Sequence, residues 1–401
     1  MKYYVITLAL MSLLSACGGG GGGSASVDPS GSGGGGSGAG GGSGGGGSTG
    51  PSEPTADAYR DAALILDIGT FGARYSDVES VAEIGVDTWL DEQFSMPISL
   101  HEPIVRRYAA QYGFNNQDSP IPVGQFRRFA FFENALTAPD QLRQVTAYAL
   151  TQLFVVSQTG VLGNNPLGLS SYYDTLLTHS FGNYRDLLRA VTLHPAMGFY
   201  LSHVNNGKTD PDANTFPDEN YAREVMQLFT IGIYELNPDG TQKLDTDGRP
   251  IPTYDNTDIR EFSKIFTGLA YAGADGQEPQ FGRNRAVLHA PMVMFDGYHE
   301  QGEKYLLNEF VVPDGQTGIQ DIDDAVDNLF NHPNVGPFVG KQMIQRLVSS
   351  NPSPEYVSRI SAVFADNGNG VRGDMQAVIR AILTDPEVAD ASRVREPFRR
   401  F

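Results

Sequence analysis

Cysteine is almost absent from the chain of 401 residues, which contains Cys17 and no other. With no second thiol, the folded part has no disulfide, no cysteine nucleophile and no zinc held by cysteines. Its stability is therefore expected to come from packing alone.

Basic residues are also scarce, since 28 Lys and Arg face 47 Asp and Glu and the formal net charge is −19. Such a surface repels phosphate backbones and anionic lipid headgroups. We therefore predict no nucleic-acid partner and no electrostatic docking to a membrane.

Several chemical motifs are missing. The sequence has no HExxH zinc motif, no GxSxG elbow, no P-loop and no dinucleotide fingerprint. Two acidic, glycine-containing segments, at 245–248 and 366–370, lack the bidentate glutamate that ends an EF-hand loop, and turn chemistry explains both. We predict no metal site and no cofactor.

The N-terminus carries a targeting pattern in residues 1–17. An apolar run from Val5 to Leu14 precedes Leu14-Ser15-Ala16-Cys17, and it is too short for a membrane-spanning helix. The pattern resembles a bacterial lipoprotein signal, in which Cys17 is lipidated; the alternative is an ordinary secretory signal with an incidental cysteine. We expect a lipid-anchored protein of the bacterial cell envelope, in the outer membrane on its periplasmic or surface face.

Residues 18–56 are nearly all glycine and serine up to Gly50. Without apolar side chains to offset the entropy of ordering, this stretch is predicted to be a disordered tether with a reach of roughly 35 Å. A phosphate-binding glycine loop is the alternative, but no strand precedes the glycines and no GK[ST] helix follows.

Residues 57–401 are predicted to form an all-α, multi-helical globular domain with one or two small β-hairpin insertions. Ser76 to Glu79 fits a capping box, Asp87 caps a helix with Trp89, and Pro139-Asp140 opens an apolar-faced helix reaching Val156. Hairpins are expected at 234–254 and around Pro313-Asp314-Gly315. Further helices are predicted near 101–112, 124–136, 171–179, 183–203, 218–231, 257–269, 321–330, 336–349, 355–365 and 373–384.

Long blocks of this domain resemble the bacterial family known as domain of unknown function 1800. The resemblance implies a helical protein that is secreted or faces the envelope, and the family has no assigned activity. It also implies a partner, a secreted protein resembling sulfatases. Because family members continue beyond REPFRRF, we expect the domain to be incomplete at its C-terminus. The blocks include ILDIGTFGARYSDVESVAEIGVDTWLDEQF from Ile65, SYYDTLLTHSFGNYRDLLRAVTLHPAMGFYLSHV from Ser171, PDENYAREVMQLFTIGIYELNPDG from Pro217 and FDGYHEQGEKYLL from Phe295.

The first candidate site is a polar helix face. At 100° per residue, Asn220, Arg223, Glu224 and Gln227 share one arc, opposite a buried apolar face. Amide, guanidinium and carboxylate groups together suit a polyhydroxyl or carboxylated ligand. The alternative is a solvated face on which Glu219 and Arg223 form an ordinary helical pair.

The second candidate site is the loop Phe295 to Glu300. Here His299 lies near Asp296, and Lys304 follows within reach. The histidine is interpreted as a general base or a metal ligand supported by a carboxylate, with a structural hydrogen bond as the alternative. The other histidines discussed, His179, His194 and His203, are predicted to be satisfied core residues.

Two functions are compatible with these residues. The first is an interaction or assembly module of the envelope that binds a glycan or a partner protein through the Asn220 face and the His299 loop. The alternative is a hydrolase acting on an extracellular polysaccharide, with Glu219 or Glu224 as acid or base, Arg223 holding an anionic group and His299 assisting. A passive spacer is disfavoured because the polar blocks are too particular in composition.

Overall fold

Helices dominate the computed structural model, which describes residues 53–113, 121–273, 277–283 and 288–389. The predicted signal with Cys17, the tether up to residue 52 and the segment REPFRRF lie outside the described residues. In the described part, the prediction of an all-α domain with small β insertions is confirmed.

Many consecutive helices are joined by short connections, but longer segments precede α10, α11 and α12. A π-helical segment, Val225–Thr230, directly follows α10. The α-helices are α1 Ala56–Gly69, α2 Tyr75–Ile84, α3 Val86–Ser95, α4 Glu102–Tyr112, α5 Gln125–Thr137, α6 Gln141–Thr151, α7 Pro166–His179, α8 Tyr184–Thr192, α9 Pro195–Tyr200, α10 Asn220–Glu224, α11 Asn256–Ile265, α12 Gly318–Phe330, α13 Val335–Leu347, α14 Pro354–Ala365 and α15 Met375–Thr384.

The start of α2 differs from the predicted capping box. The helix begins at Tyr75, and the carboxylate of Asp77 accepts the backbone amide of Arg74 at 2.7 Å, so Ser76 is not the cap. Gly85 ends α2 as predicted and also begins α3, with φ 86° and ψ 153°. This conformation is open essentially to glycine alone, so the tight joint between the two helices depends on that residue.

Two of the predicted helices are interrupted. The helix expected at 183–203 is two helices, α8 and α9, because Pro195 lacks an amide hydrogen and His194 caps the second helix by accepting the amide of Ala196 at 3.2 Å. The helix expected at 218–231 changes from α to π geometry after Glu224. The helix α6 stops at Thr151 and does not reach Val156.

Four short strands form two antiparallel pairs. In the first, β1 (Leu269–Ala270) pairs with β2 (Val293–Met294), and this pair was not predicted. In the second, β3 (Lys304–Tyr305) pairs with β4 (Val311–Val312) around a turn at Leu307–Glu309. The hairpin therefore precedes Pro313-Asp314-Gly315, and the prediction that it flanks these residues was wrong.

The predicted hairpin at 234–254 is present as a ladder of isolated bridges, which we call the 234–254 arm. Its base is held by Asn334 at the start of α13. The buried Asn334 amide donates to the carbonyls of Ile231 and Tyr234, at 2.8 Å each, and its oxygen accepts the amide of Leu236 at 2.9 Å. The base of the arm is thus fixed to the helical body, and its turn at Gly240 lies close to Val357 of α14.

A hydrophobic core runs through the helical body from α1 to α15. Tyr184 and Phe229 are both buried within it, and the Tyr184 hydroxyl donates to the Phe229 carbonyl at 2.5 Å. The helix α7 contacts both α4 and α8. The helix α4 packs with α5 in a second, smaller apolar cluster that contains Val105 and Phe126. Among the described residues, no helix is long and apolar enough to cross a membrane.

Candidate functional site

A cleft of about 680 Å³ opens between α4, α7 and α8, and we call it the Asp174 cleft. Its volume lies within the range of about 300–1,000 Å³ that is usual for ligand pockets. Its lining combines hydroxyl, imidazole, guanidinium and carboxyl groups with apolar side chains. The lining residues are Leu100, Glu102, Pro103, Arg106, Ser171, Asp174, Thr175, Thr178, His179, Arg189, Ala190, Leu193, His194 and Pro291.

Asp174 connects α7 to the beginning of α4. Its carboxyl oxygens accept the backbone amides of His101 at 2.7 Å and Glu102 at 2.9 Å, two groups that a helix start otherwise leaves unpaired. Burial raises the pKa of the Asp174 carboxyl to about 7, although these two amides act in the opposite direction. A carboxyl group that titrates near neutral pH therefore lines the cleft.

Ser171 and His194 meet at the same cleft, with the serine Oγ 3.3 Å from the histidine Nε2. The Nδ1 of His194 accepts the amide of Ala196, so in the neutral ring Nε2 carries the proton and donates to Ser171. Burial lowers the pKa of His194 to about 3, which keeps the ring neutral. In this arrangement the imidazole does not take a proton from the serine, so the pair is a hydrogen-bonding surface and not a nucleophile with its base.

The arginine side chains that line the Asp174 cleft are paired with carboxylates, and its walls are partly apolar. Arg189 binds Asp323 of α12 through Nε at 2.5 Å, which fixes the guanidinium at the edge of the cleft. Leu193 and Pro291 supply apolar surface beside it. A ligand with hydroxyl groups and apolar ring faces matches this combination.

The residues of the polar face predicted around Asn220 lie on α10 and on the π-helical segment that follows it. We call Asn220, Arg223, Glu224 and Gln227 the Glu224 face. Arg223 and Glu224 are half-buried, whereas Asn220 is exposed. Arg223 Nη2 lies 3.2 Å from Glu219 Oε2, and the two side chains are 41% and 43% exposed, so this pair contributes little to stability.

Glu224 has a feature that the sequence does not reveal. Its Oε2 atom is buried and has no hydrogen-bond partner among the described residues. Burial raises the pKa of the carboxyl group, and the nearby Arg223 partly offsets this. A buried polar atom without a partner costs about 1–3 kcal/mol, so the fold holds this carboxyl group in an unfavourable environment.

Tyr254 packs beside the Glu224 face, from the segment that precedes α11. Its hydroxyl donates to Gln227 Oε1 at 3.3 Å. Burial raises the pKa of Tyr254, Arg223 lowers it and Glu224 raises it further. The tyrosine, the glutamine and the carboxyl group therefore share one environment.

His299 lies inside the protein and is fully buried. Its Nε2 is 2.9 Å from Asp321 Oδ2, and its Nδ1 is 3.0 Å from the carbonyl oxygen of Thr267. Both ring nitrogens thus face oxygen atoms of the fold and none faces solvent. His299 is thus a buried residue with hydrogen-bond partners inside the protein. This arrangement corresponds to the structural hydrogen bond that was the alternative to a general base or a metal ligand.

Lys304 belongs to the same internal cluster. Its buried ammonium lies 2.5 Å from Asp321 Oδ2, and Gln316 Nε2 donates to the other oxygen at 3.2 Å. Burial alone would raise the pKa of Asp321, but the hydrogen bonds from His299 and Lys304 outweigh it and the pKa is lowered. Asp321 is therefore a buried carboxylate that two basic side chains share.

Asp296 has a separate role near this cluster, since its Oδ1 accepts the amide of Gly318 at 2.8 Å at the start of α12. The structure thus brings His299 and Lys304 together on Asp321, and it brings Arg223 close to Glu219 and Glu224. Within the described ranges, no hydrogen bond or ion pair joins the His299 cluster to the Glu224 face.

The Asp174 cleft was not predicted as a candidate site from the sequence. Ser171 and Asp174 lie three residues apart on α7, a spacing that puts both on one helix face, but that pattern alone is common. His194 was predicted as a core histidine, and it is indeed 4% exposed. Its contact with Ser171 across 23 positions depends on how α7 and α9 pack.

The two acidic segments behave as turns. Asp245 Oδ1 accepts the amides of Asp247 and Arg249 at 2.8 Å each, and Asp366 Oδ1 accepts those of Gly368 and Gly370 at 2.8 Å each. In the part of the chain that the structure describes, no cluster of three or more His, Cys, Asp or Glu side chains could hold a metal ion.

Most of the chain matches one sequence family. The family described as "Protein of unknown function (DUF1800)" matches residues 65–401, so the chain is a member of that family. Neither a curated protein nor a solved structure matches the chain.

Proposed function

We propose that this chain is a lipid-anchored binding module of the bacterial cell envelope, and that its Asp174 cleft holds a glycan. The observation that carries the proposal is the lining of that cleft. Hydroxyl and imidazole groups, with a carboxyl group that titrates near pH 7, stand beside apolar surface in a volume of about 680 Å³.

A binding role is supported by the direction of the hydrogen bonds in the cleft. The Ser171 hydroxyl accepts from His194 and lies 3.4 Å from the carbonyl oxygen of His289, to which it donates. Asp174 is occupied by two backbone amides. With this pairing Ser171 is not an activated nucleophile, which favours binding over covalent catalysis in the cleft.

A hydrolase acting on an extracellular polysaccharide is the second candidate function. One observation favours it, because burial raises the pKa of Glu224, as an acid catalyst requires. A glycosidase needs a second carboxyl group at a defined separation, and Glu219, the predicted partner, faces Arg223.

Filling the cleft tests the proposed function. Ala190 lines the cleft, and Ala190→Trp is expected to weaken oligosaccharide binding by about tenfold or more, since bulk displaces the ligand without removing a polar group. Isothermal titration of the purified full chain with neutral glucan, chitin and uronic-acid oligosaccharides measures the effect, and product analysis detects any cleavage. Ala110→Trp, at an exposed position of α4, is the matched control. Equal affinities for the two variants, or no binding to any oligosaccharide, would refute the glycan proposal.

The anchor is tested at Cys17. Cys17→Ser is expected to abolish incorporation of a labelled fatty acid and to release the chain from the membrane fraction, because no other cysteine is available for lipidation. Fractionation of bacterial cells with immunoblotting measures the release. Retention of the unlabelled variant in the membrane would contradict lipid anchoring.

A sulfatase-like secreted protein is retained as a proposed partner, on the strength of the family resemblance. The membranes prepared for the Cys17 experiment also serve here. After solubilisation in detergent, the sulfatase-like protein should be recovered with the wild-type chain. Its complete absence from the recovered material would count against this partner.

A further inference from the structure

A second polar site lies outside the Asp174 cleft, at the Glu224 face. It sits where α10 passes into the π-helical segment Val225–Thr230. Single π turns within helices are rare and often occur at functional sites, because the extra residue re-aims the side chains of one turn. Thr230 closes this turn by donating its hydroxyl to the Val225 carbonyl at 2.5 Å.

The groups at this face are mainly hydrogen-bond donors. Arg223 donates a hydrogen bond from Nη2 to Glu219 Oε2 at 3.2 Å. Within the described residues its guanidinium makes no other hydrogen bond or ion pair. Gln227 Oε1 accepts from Tyr254, and within the described residues its amide nitrogen has no acceptor. A guanidinium and an amide nitrogen are therefore available side by side on one helical turn.

Glu224 completes the set. Its Oε2 has no hydrogen-bond partner among the described residues, and the groups that face it are Arg223 from its own helix and Tyr254 from the segment before α11. Burial favours the neutral carboxyl group, which donates one hydrogen bond where a carboxylate would only accept. In its neutral form Glu224 does not repel an anion held by Arg223.

We infer that the Glu224 face binds a carboxylate group of a ligand, with Arg223 and Gln227 as the donors and the half-buried Glu224 beside them. Arginine binds carboxylates through parallel hydrogen bonds, and charge-assisted bonds of this kind are the strongest available at such a surface. The carboxylate can belong to a uronic acid of a polysaccharide or to the C-terminus of a peptide. The site is independent of the Asp174 cleft.

Ligand pairs that differ only in charge separate these sources. The full chain carrying Ala190→Trp, in which the cleft is filled, is titrated with galacturonate oligosaccharides and with their carboxyl-reduced neutral forms. The second pair is one peptide prepared in two forms, the first with a free C-terminal carboxylate and the second with a C-terminal amide. Preferential binding of the charged member of either pair supports the proposal and identifies the source of the carboxylate. If the charged member is preferred in neither pair, the proposal is overturned.

Variants then assign the site. Arg223→Gln is expected to weaken carboxylate binding by about tenfold or more, whereas Arg60→Gln, which removes an exposed helical arginine paired with Asp57, leaves it unchanged. Arg223 is 41% exposed, so its variant should fold normally, as circular dichroism would verify. Equal loss in both variants would show a general charge effect and overturn the assignment.

The pH profile gives a readout that a merely structural role would not change. Wild-type affinity should rise as pH falls towards the pKa of Glu224, which burial raises, because Glu224 gains its proton while the ligand carboxylate stays charged. Glu224→Gln, a permanent neutral donor of similar size, should bind with little dependence on pH. A wild-type profile that is flat, or that Glu224→Gln reproduces, would overturn the role of Glu224.

Discussion

Replacing Asp321 with asparagine is expected to lower the free energy of unfolding by about 3–5 kcal/mol. The change leaves Lys304, which is 2% exposed, without a negative partner inside the protein. It also weakens the support of the buried His299 ring. Removing one member of a buried ion pair is costly mainly because the other charge stays behind. Urea unfolding of the purified full chain, followed by circular dichroism, measures the loss.

Two further variants identify the cause of this loss. In the double variant Asp321→Asn with Lys304→Met, the stranded charge is gone, so much of the stability should return. Glu219→Gln removes one partner of the exposed pair with Arg223 and should cost less than about 1 kcal/mol. A comparably small loss for Asp321→Asn would show that the buried cluster is not a major element of stability.

The contribution of Asp174 to stability is expected to fall as pH rises from about 4 to about 7. The folded carboxyl group has its pKa raised to about 7 by burial, so in this interval the folded chain holds a proton that the unfolded chain has released. Proton binding by the folded state stabilises it at low pH, and this stabilisation is lost as pH passes through the folded pKa. The rise of the Asp174 pKa from its ordinary value of 3.8 to about 7 corresponds to on the order of 4 kcal/mol of stability.

Asp174→Asn removes this titration. The difference in free energy of unfolding, wild type minus variant, should therefore decrease between pH 4 and pH 7 and stay level above pH 8. Thr175→Val, a neighbour on α7 without a titratable group, should keep the wild-type slope. If the difference between wild type and Asp174→Asn is constant with pH, the carboxyl group does not titrate in this interval.

Local patterns were sufficient for most of the helices. Gly85 marks a helix boundary through its own backbone chemistry, and α12 to α15 lie close to the ranges predicted for them. The boundary at Pro195 was missed, although proline gives a local signal of the same kind. The capping of α2 by Asp77 was missed because Ser76 offers an equally good local pattern. The pair β1 and β2 was missed because 22 residues separate these two-residue strands, too little pattern to detect.

The sites were predicted less completely than the fold. The face with Arg223 and Glu224 follows from helical geometry, but the π segment after it depends on packing against α13. His299 was recognised as a residue with a carboxylate partner, yet that partner is Asp321, 22 positions away, and not the adjacent Asp296. Elements that are distant in sequence decide whether a histidine faces solvent or the interior. A single sequence does not reveal how those elements pack.

The way Asn334 holds the 234–254 arm has a consequence for how such a protein can diversify. One buried amide ties the base of the arm to α13 through hydrogen bonds at Tyr234 and Leu236. Leu244, further along the arm, is 56% exposed. Because exposed turns tolerate insertions better than buried segments, we expect changes of length near Leu244 to be accepted while Asn334 keeps the base in place.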